Sequence, residues 1–167
     1  RTMFNLLGPL ANPANPRWQL MGVYDPTKCV TLAETLGKLG CERALVVHGG
    51  GLDEIALHSA TTAALLEGGQ VREVELSPQA VGLRVRGLDE LRGGDPDDNA
   101  SWLEQLVSGK GSDAHNAAVA INAGALLWIC GKAADHGRGT ELALEVLTSG
   151  AGAETLASWR AVANQGD

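Results

Sequence analysis

Asp53 and Glu54 stand side by side a few residues after His48 and the run Gly49-Gly50-Gly51. Adjacent carboxylates after a glycine-rich turn can hold Mg²⁺, which takes one or two carboxylates and completes its shell with substrate phosphate oxygens and water. The same two side chains can also simply be solvated, or cap the segment that follows, and residue types alone leave these readings open. Arg1 is a second candidate, because a guanidinium grips a planar carboxylate through two parallel hydrogen bonds that Lys cannot reproduce. As a residue type it is equally a solvated side chain at a chain end. His48 closes an apolar run and could serve as a base, but a His in that setting more often ties backbone together. Gly93-Gly94-Asp95 invites a phosphate-loop reading, yet Asp95 is explained as a helix cap, and an Asp at the mouth disfavours an anion. Asn116 and Asn122 interrupt a long apolar stretch and read as hydrogen-bonded buried polar groups.

The elements around these residues follow from spacing. Gln19 to Tyr24 is a short, largely apolar run bounded by Pro16 and Pro26, as expected of a buried strand. A helix then starts with Asp25 as cap and Pro26 in first position, carries Val30, Ala33, Leu36 and Leu39 at helical spacing, and stops at Gly40. Ala44 to Val47 is another buried strand, so strand, helix and strand fall within about thirty residues, the length of a βαβ unit with parallel strands. The Asp53-Glu54 loop therefore lies beyond a strand's carboxyl end, where open α/β sheets bind ligands.

Thr61 to Leu66 and Val71 to Leu76, separated by Glu67-Gly68-Gly69-Gln70, predict a hairpin at an edge of the sheet. Asp95-Pro96 repeats the cap-then-proline device and predicts a helix to about Val107, stopped at Gly109. A long helix from near Ser112 to Cys130 is apolar on nearly every face, which implies burial on more than one side. Two amphipathic helices, 139–149 and about 153–164, complete the chain. Strand-helix alternation followed by helices predicts an α/β domain whose mixed, mostly parallel sheet is flanked by helices.

The 167 residues have the length of one domain, and the 44% hydrophobic and 20% charged content suits a packed core. A net charge of -7 disfavours nucleic acid and anionic membranes as partners, so a phosphate ligand must be held through a metal or local donors. The four Trp are scattered and make no stacking platform. Cys29, Cys41 and Cys130 match neither a disulfide framework nor a metal pair, and read as reduced thiols. The apolar run 117–130 is shorter than the roughly 20 residues of a membrane span.

Two segments carry a family resemblance. Arg1-Thr2-Met3-Phe4-Asn5-Leu6-Leu7-Gly8-Pro9-Leu10-Ala11-Asn12-Pro13, whose turn formers among apolar residues suggest a buried, shaped loop, resembles the signature of the anthranilate phosphoribosyltransferases. Val46 through Ile55 resembles that family's second signature, and Leu91 to Pro96 with Asn99-Ala100 and Ala118 to Gly131 look like its carboxyl-terminal half. The resemblance implies a nucleoside phosphorylase/phosphoribosyltransferase-like fold. It also implies transfer of a phosphoribosyl group from phosphoribosyl pyrophosphate to anthranilate in tryptophan biosynthesis, with Asp53 and Glu54 as Mg²⁺ ligands and Arg1, Asn12 and Pro13 at the anthranilate site.

By the same resemblance the parent enzyme is a cytoplasmic homodimer, with an amidotransferase or anthranilate synthase component as a further partner. The family's Gly-Thr-Gly-Gly-Asp and Lys-His-Gly-Asn segments occur nowhere in the chain. Residues 1–167 are accordingly expected to be the carboxyl-terminal portion of the catalytic domain, incomplete at its N-terminus and inactive alone. Two alternatives are a pyrimidine-nucleoside phosphorylase relative, which the opening motif disfavours, and a non-catalytic nucleic-acid-binding paralogue, which the charge disfavours.

Overall fold

The computed structural model describes residues 4–164. The chain runs α1 (Phe4–Leu10), β1 (Trp18–Gly22), α2 (Cys29–Lys38), β2 (Arg43–His48), β3 (Thr61–Glu67), β4 (Gln70–Leu76), α3 (Pro96–Gln105), α4 (Asp113–Ile129), α5 (His136–Ser149) and α6 (Gly152–Ala163). The strands form one four-stranded sheet in the order β1-β2-β3-β4.

Asp25 starts the first crossover as its spacing suggests. Its carboxylate accepts from the Thr27 amide at 3.0 Å and caps a 3-10 turn, Pro26–Lys28, that leads into α2. This helix lets β2 return parallel to β1, with Leu20 opposite Leu45 and Met21 opposite Val46. Gly68 and Gly69, both at positive φ, make the two-residue turn between β3 and β4 that L side chains would resist.

The sheet is mixed, but parallel pairing is not its majority among the described strands, contrary to the sequence expectation. β1–β2 is parallel, whereas β2–β3 and β3–β4 are antiparallel. The reason is the connection: residues 49–60 contain no helix to carry the chain back across the sheet, so β3 must run against β2. The alanines of β3 suit this place. Ala63, Ala64 and Leu65 are completely buried because helices cover both faces, and only β4 of the hairpin lies at the edge.

Alternation along the strands sorts the core into two layers. Leu45, Val47, Ala63 and Leu65 face α4 through Ala117, Ile121, Ala125 and Ile129. Val46, Ala64 and Leu66 face α2 through Leu32, Ala33 and Leu36. The other side of α4 meets α5 closely, because Gly124 and Gly139 remove the side chains that would separate the two backbones. The helix is thus buried on more than one side, as its sequence suggests, while a further side stays open, where Val119 and Leu126 join Trp18, Ala123 and Val146 in an apolar groove.

The opening segment also differs from its expectation as a buried loop. Residues 4–10 form a helix, and Asn12 and Pro13 follow in an exposed turn. The side-chain amide of Gln19 in β1 donates to the Pro9 carbonyl at 3.1 Å, satisfying one acceptor that the helix end leaves free. Cys29, Cys41 and Cys130 are free thiols, as their spacing suggests. Among the described residues no helix is long and apolar enough to cross a membrane.

Buried His136 gives the fold a pH dependence. Its ring stacks on Trp128 with centroids 6.3 Å apart and pairs through Nε2 with the Ile121 carbonyl at 2.8 Å. Burial holds its pKa below the ordinary value of 6.5, outweighing the raising influences of that carbonyl and of Asp135. The folded state therefore binds this proton less readily than the unfolded chain. The associated stability is present above the unfolded value and is lost as pH falls toward the folded one. Between about pH 7.5 and about pH 5.5 the melting temperature is expected to drop more steeply in the parent than in His136→Gln. Equal slopes would contradict this account.

Candidate functional site

The site is built on the turn that leaves β2. Gly49 and Leu52 exchange backbone hydrogen bonds at 2.9 and 3.2 Å, and Gly50 and Gly51 supply the positive φ between them. His48 braces this turn from both ring nitrogens. Nε2 accepts the Gly51 amide at 3.2 Å, which leaves Nδ1 to donate to the Val23 carbonyl at 2.9 Å. With both nitrogens engaged in backbone contacts, His48 ties β1 to the loop, in line with its structural reading. His58 adds a contact from Nε2 to the Gly50 carbonyl at 3.2 Å.

Asp53 and Glu54 follow, their side chains exposed and their main chain pinned. The Asp53 carbonyl sits over Gly22 at the end of β1, and the Glu54 carbonyl sits over Gly49. A Cβ at either glycine would overlap that carbonyl. The next peptide is gripped from α4, where the Asn122 amide accepts from Ile55 N at 2.9 Å and donates to Ile55 O at 3.1 Å. Thr61 then receives the Ala56 amide on its hydroxyl at 3.0 Å. The chain thus presents the two carboxylates beyond the carboxyl ends of parallel β1 and β2.

Electrostatically the pair is poised for a cation. Desolvation, and then the charge of Asp53, push the Glu54 carboxyl above the ordinary carboxylate range, although much of its side chain still meets solvent. A nearby cation would reverse the second effect and favour two ionised groups. Among the described residues, no group of three or more His, Cys, Asp or Glu gathers around one point, so the pair falls short of a complete metal shell. Two carboxylates suit Mg²⁺, whose remaining positions belong to phosphate oxygens and water, better than they suit an all-protein cage.

Beside Glu54 opens a cleft of about 260 Å³, bordered by Leu91, Arg92, Trp102, His115 and Val119. The Trp102 and His115 rings lie 5.5 Å apart on its wall. Asn99 also borders it, but its amide is committed to Gly94, with both bonds at 3.0 Å. Asp95 accepts from the Asp97 and Asp98 amides, so the Gly93-Gly94-Asp95 segment is the helix cap its sequence suggests.

The other sequence candidates are not gathered here. Arg1 lies outside the described residues. Asn12 accepts from the Ala14 amide at 3.0 Å, closing an exposed turn, and neither it nor Pro13 borders the cleft beside Glu54. What sequence reading missed is the scaffold: the Gly22 seat, the Ile55 grip and the cleft. Gly22 carried a signal, since an isolated glycine in a strand pattern marks close backbone approach.

A small mixed sheet clasped by helices, with its acidic loop at the strand ends, places the chain in a recognisable class. It belongs to the glycosyl transferase family, a/b domain, which matches residues 1–153. Within that class it is similar to anthranilate phosphoribosyltransferases. The enzyme of that name from Sorangium cellulosum (strain So ce56) is 53% identical over 166 residues, 99% of this chain and 48% of the relative. The one from Colwellia psychrerythraea is 47% identical over 99% of this chain and 45% of the relative. Among solved structures, the Thermus thermophilus enzyme superposes with a TM-score of 0.85 at 40% identity, over 93% of this chain and 46% of that one. The Saccharomyces cerevisiae enzyme in complex with PRPP and Mg gives 0.79 at 26% identity, over 93% and 45%. The chain spans about half the length of the curated relatives it matches.

The Gly22 seat is directly testable. Gly22→Ala is expected to lower stability by about 2 kcal/mol in urea denaturation, because the Asp53 backbone must shift. Gly8→Ala, where a Cβ meets nothing within 4 Å, serves as the contrast and is expected to change little. A silent Gly22→Ala would refute the seat.

Proposed function

We propose that this chain supplies the metal-holding half of the catalytic site of an anthranilate phosphoribosyltransferase. In that reading the whole enzyme moves a phosphoribosyl group from phosphoribosyl pyrophosphate to the anthranilate amine and releases pyrophosphate. The observation that carries it is the Asp53-Glu54 pair, exposed on a backbone fixed by Gly22, Gly49 and Asn122. Similarity to a yeast enzyme solved with PRPP and Mg supports the same assignment.

Asp53 and Glu54 would hold Mg²⁺, which when bound supplies positive charge against the departing pyrophosphate. The protein's part is to hold the backbone that carries both carboxylates in place before substrate arrives, so that little reorganisation accompanies charge development. The acceptor amine is itself a nucleophile, so catalysis rests on holding the partners in line and stabilising the departing pyrophosphate. His48, with both ring nitrogens on the backbone, is not free to act as a base. Arg1, with Asn12 and Pro13, completes the proposal at the anthranilate carboxylate, where a guanidinium offers a two-point grip. A cytoplasmic homodimer with an amidotransferase partner belongs to the same reading.

In the intact protein, Asp53→Asn and Glu54→Gln are each expected to lower kcat/KM for phosphoribosyl transfer by about 10²-fold or more and to raise the Mg²⁺ concentration needed for half-maximal rate. Melting temperatures should stay close to the parent's. Unchanged transfer and magnesium requirement in the double variant would sink the reading. Phosphate-dependent cleavage of a pyrimidine nucleoside would install the phosphorylase alternative in its place.

A further inference from the structure

Asn122 is the one long-range side-chain contact made to the peptide that follows Glu54 among the described hydrogen bonds. It comes from the middle of α4, 67 residues later in the chain. Its Oδ1 accepts the Ile55 amide at 2.9 Å, while its Nδ2 donates to the Ile55 carbonyl at 3.1 Å and to Ala118 O at 3.0 Å. Both ends of the amide are used, so only one orientation satisfies all three bonds. Ile55 itself is 2% exposed, and without Asn122 its buried amide would lose this partner.

The Ile55 amide and the Glu54 carbonyl belong to one rigid peptide plane. Gly49 receives the carbonyl edge of that plane and Asn122 holds the amide edge. Gly22 receives the carbonyl of the preceding plane, between Asp53 and Glu54. These two planes flank Glu54, and the plane before Asp53 is held by the Leu52 carbonyl, which accepts from the Gly49 amide at 2.9 Å, so the directions in which both side chains leave the backbone are fixed.

We propose that Asn122 is a positioning residue for the carboxylate pair: by clamping Ile55 it sets the spacing at which Asp53 and Glu54 meet a divalent cation. This rests on the reading that the pair holds such a cation. Asn122 touches neither the cation nor the substrate in this proposal. It acts through the backbone, as the outer partners of metal ligands do.

The test uses the intact protein and Mn²⁺ as a paramagnetic stand-in for Mg²⁺, with pyrophosphate present and free Mn²⁺ followed by electron paramagnetic resonance. Asn122→Leu, which keeps bulk and removes all three bonds, is expected to weaken Mn²⁺ binding about tenfold or more. The KM for anthranilate should remain within about twofold, a separation that general loosening of the fold would not produce. Should Asn122→Leu fail to fold, Asn122→Ala leaves room for a water to satisfy Ile55 and is read in the same way. Parent-like Mn²⁺ affinity in the folded variant, with Asp53→Asn weakening binding, overturns the role of Asn122 and leaves the carboxylate reading standing. If Asp53→Asn and Glu54→Gln also bind Mn²⁺ like the parent, both fall together.

Discussion

Two carbonyl oxygens resting on two glycines decide the shape of the site. Gly22 ends β1 and Gly49 follows β2, and the main chain of Asp53 and Glu54 folds down onto both. Parallel pairing puts these glycines at the same end of neighbouring strands, so the contact exists only because α2 carries the chain back to the same starting side. The Gly50-Gly51 turn and the His48 ring then return the chain over the strand ends instead of out into solvent. Without the seat, the acidic pair would be two surface carboxylates on an ordinary loop.

Packing elsewhere serves this arrangement. The alternating side chains of β2 and β3 lock α4 against one face of the sheet, and that contact fixes the height at which Asn122 meets Ile55. The close approach of α5 at Gly124 and Gly139 braces α4 from behind. Arg43 adds a tie at the far end of the same helix, pairing with Glu67 across the strand pair at 2.7 Å and donating to the Trp128 carbonyl at 3.2 Å. Core and site are therefore one mechanical unit, since the helix that packs on one face of the sheet also holds the loop.

Much of this was legible in residue order because the signals are local. Asp25-Pro26, Asp95-Pro96 and Ser112 begin helices through contacts within a few residues, and Gly68-Gly69 makes its turn through its own φ preference. The carboxylate pair could be placed at a strand end for the same reason. The rest depends on partners distant in sequence. Asn122 reads as a buried polar group, but nothing in its neighbourhood names Ile55, and the run of β3 against β2 follows only once residues 49–60 are seen to lack a helix. The segment 4–10 misled in the opposite direction: its Gly8 and Pro9 argue for a loop, yet a short helix forms there with its end tied to Gln19. Arg1, inferred only from the likeness of the opening motif, lies beyond what the described residues address.

The division of labour between main chain and side chains at residues 53 and 54 bears on how the protein tolerates change. The backbone there is anchored by glycines and an amide, while the carboxylates themselves project into solvent and support little of the fold. Exchanging either acid for a different headgroup should leave the architecture standing, as surface replacements generally do. Chemistry at this corner can thus be rewritten one residue at a time, whereas the small residues beneath it cannot.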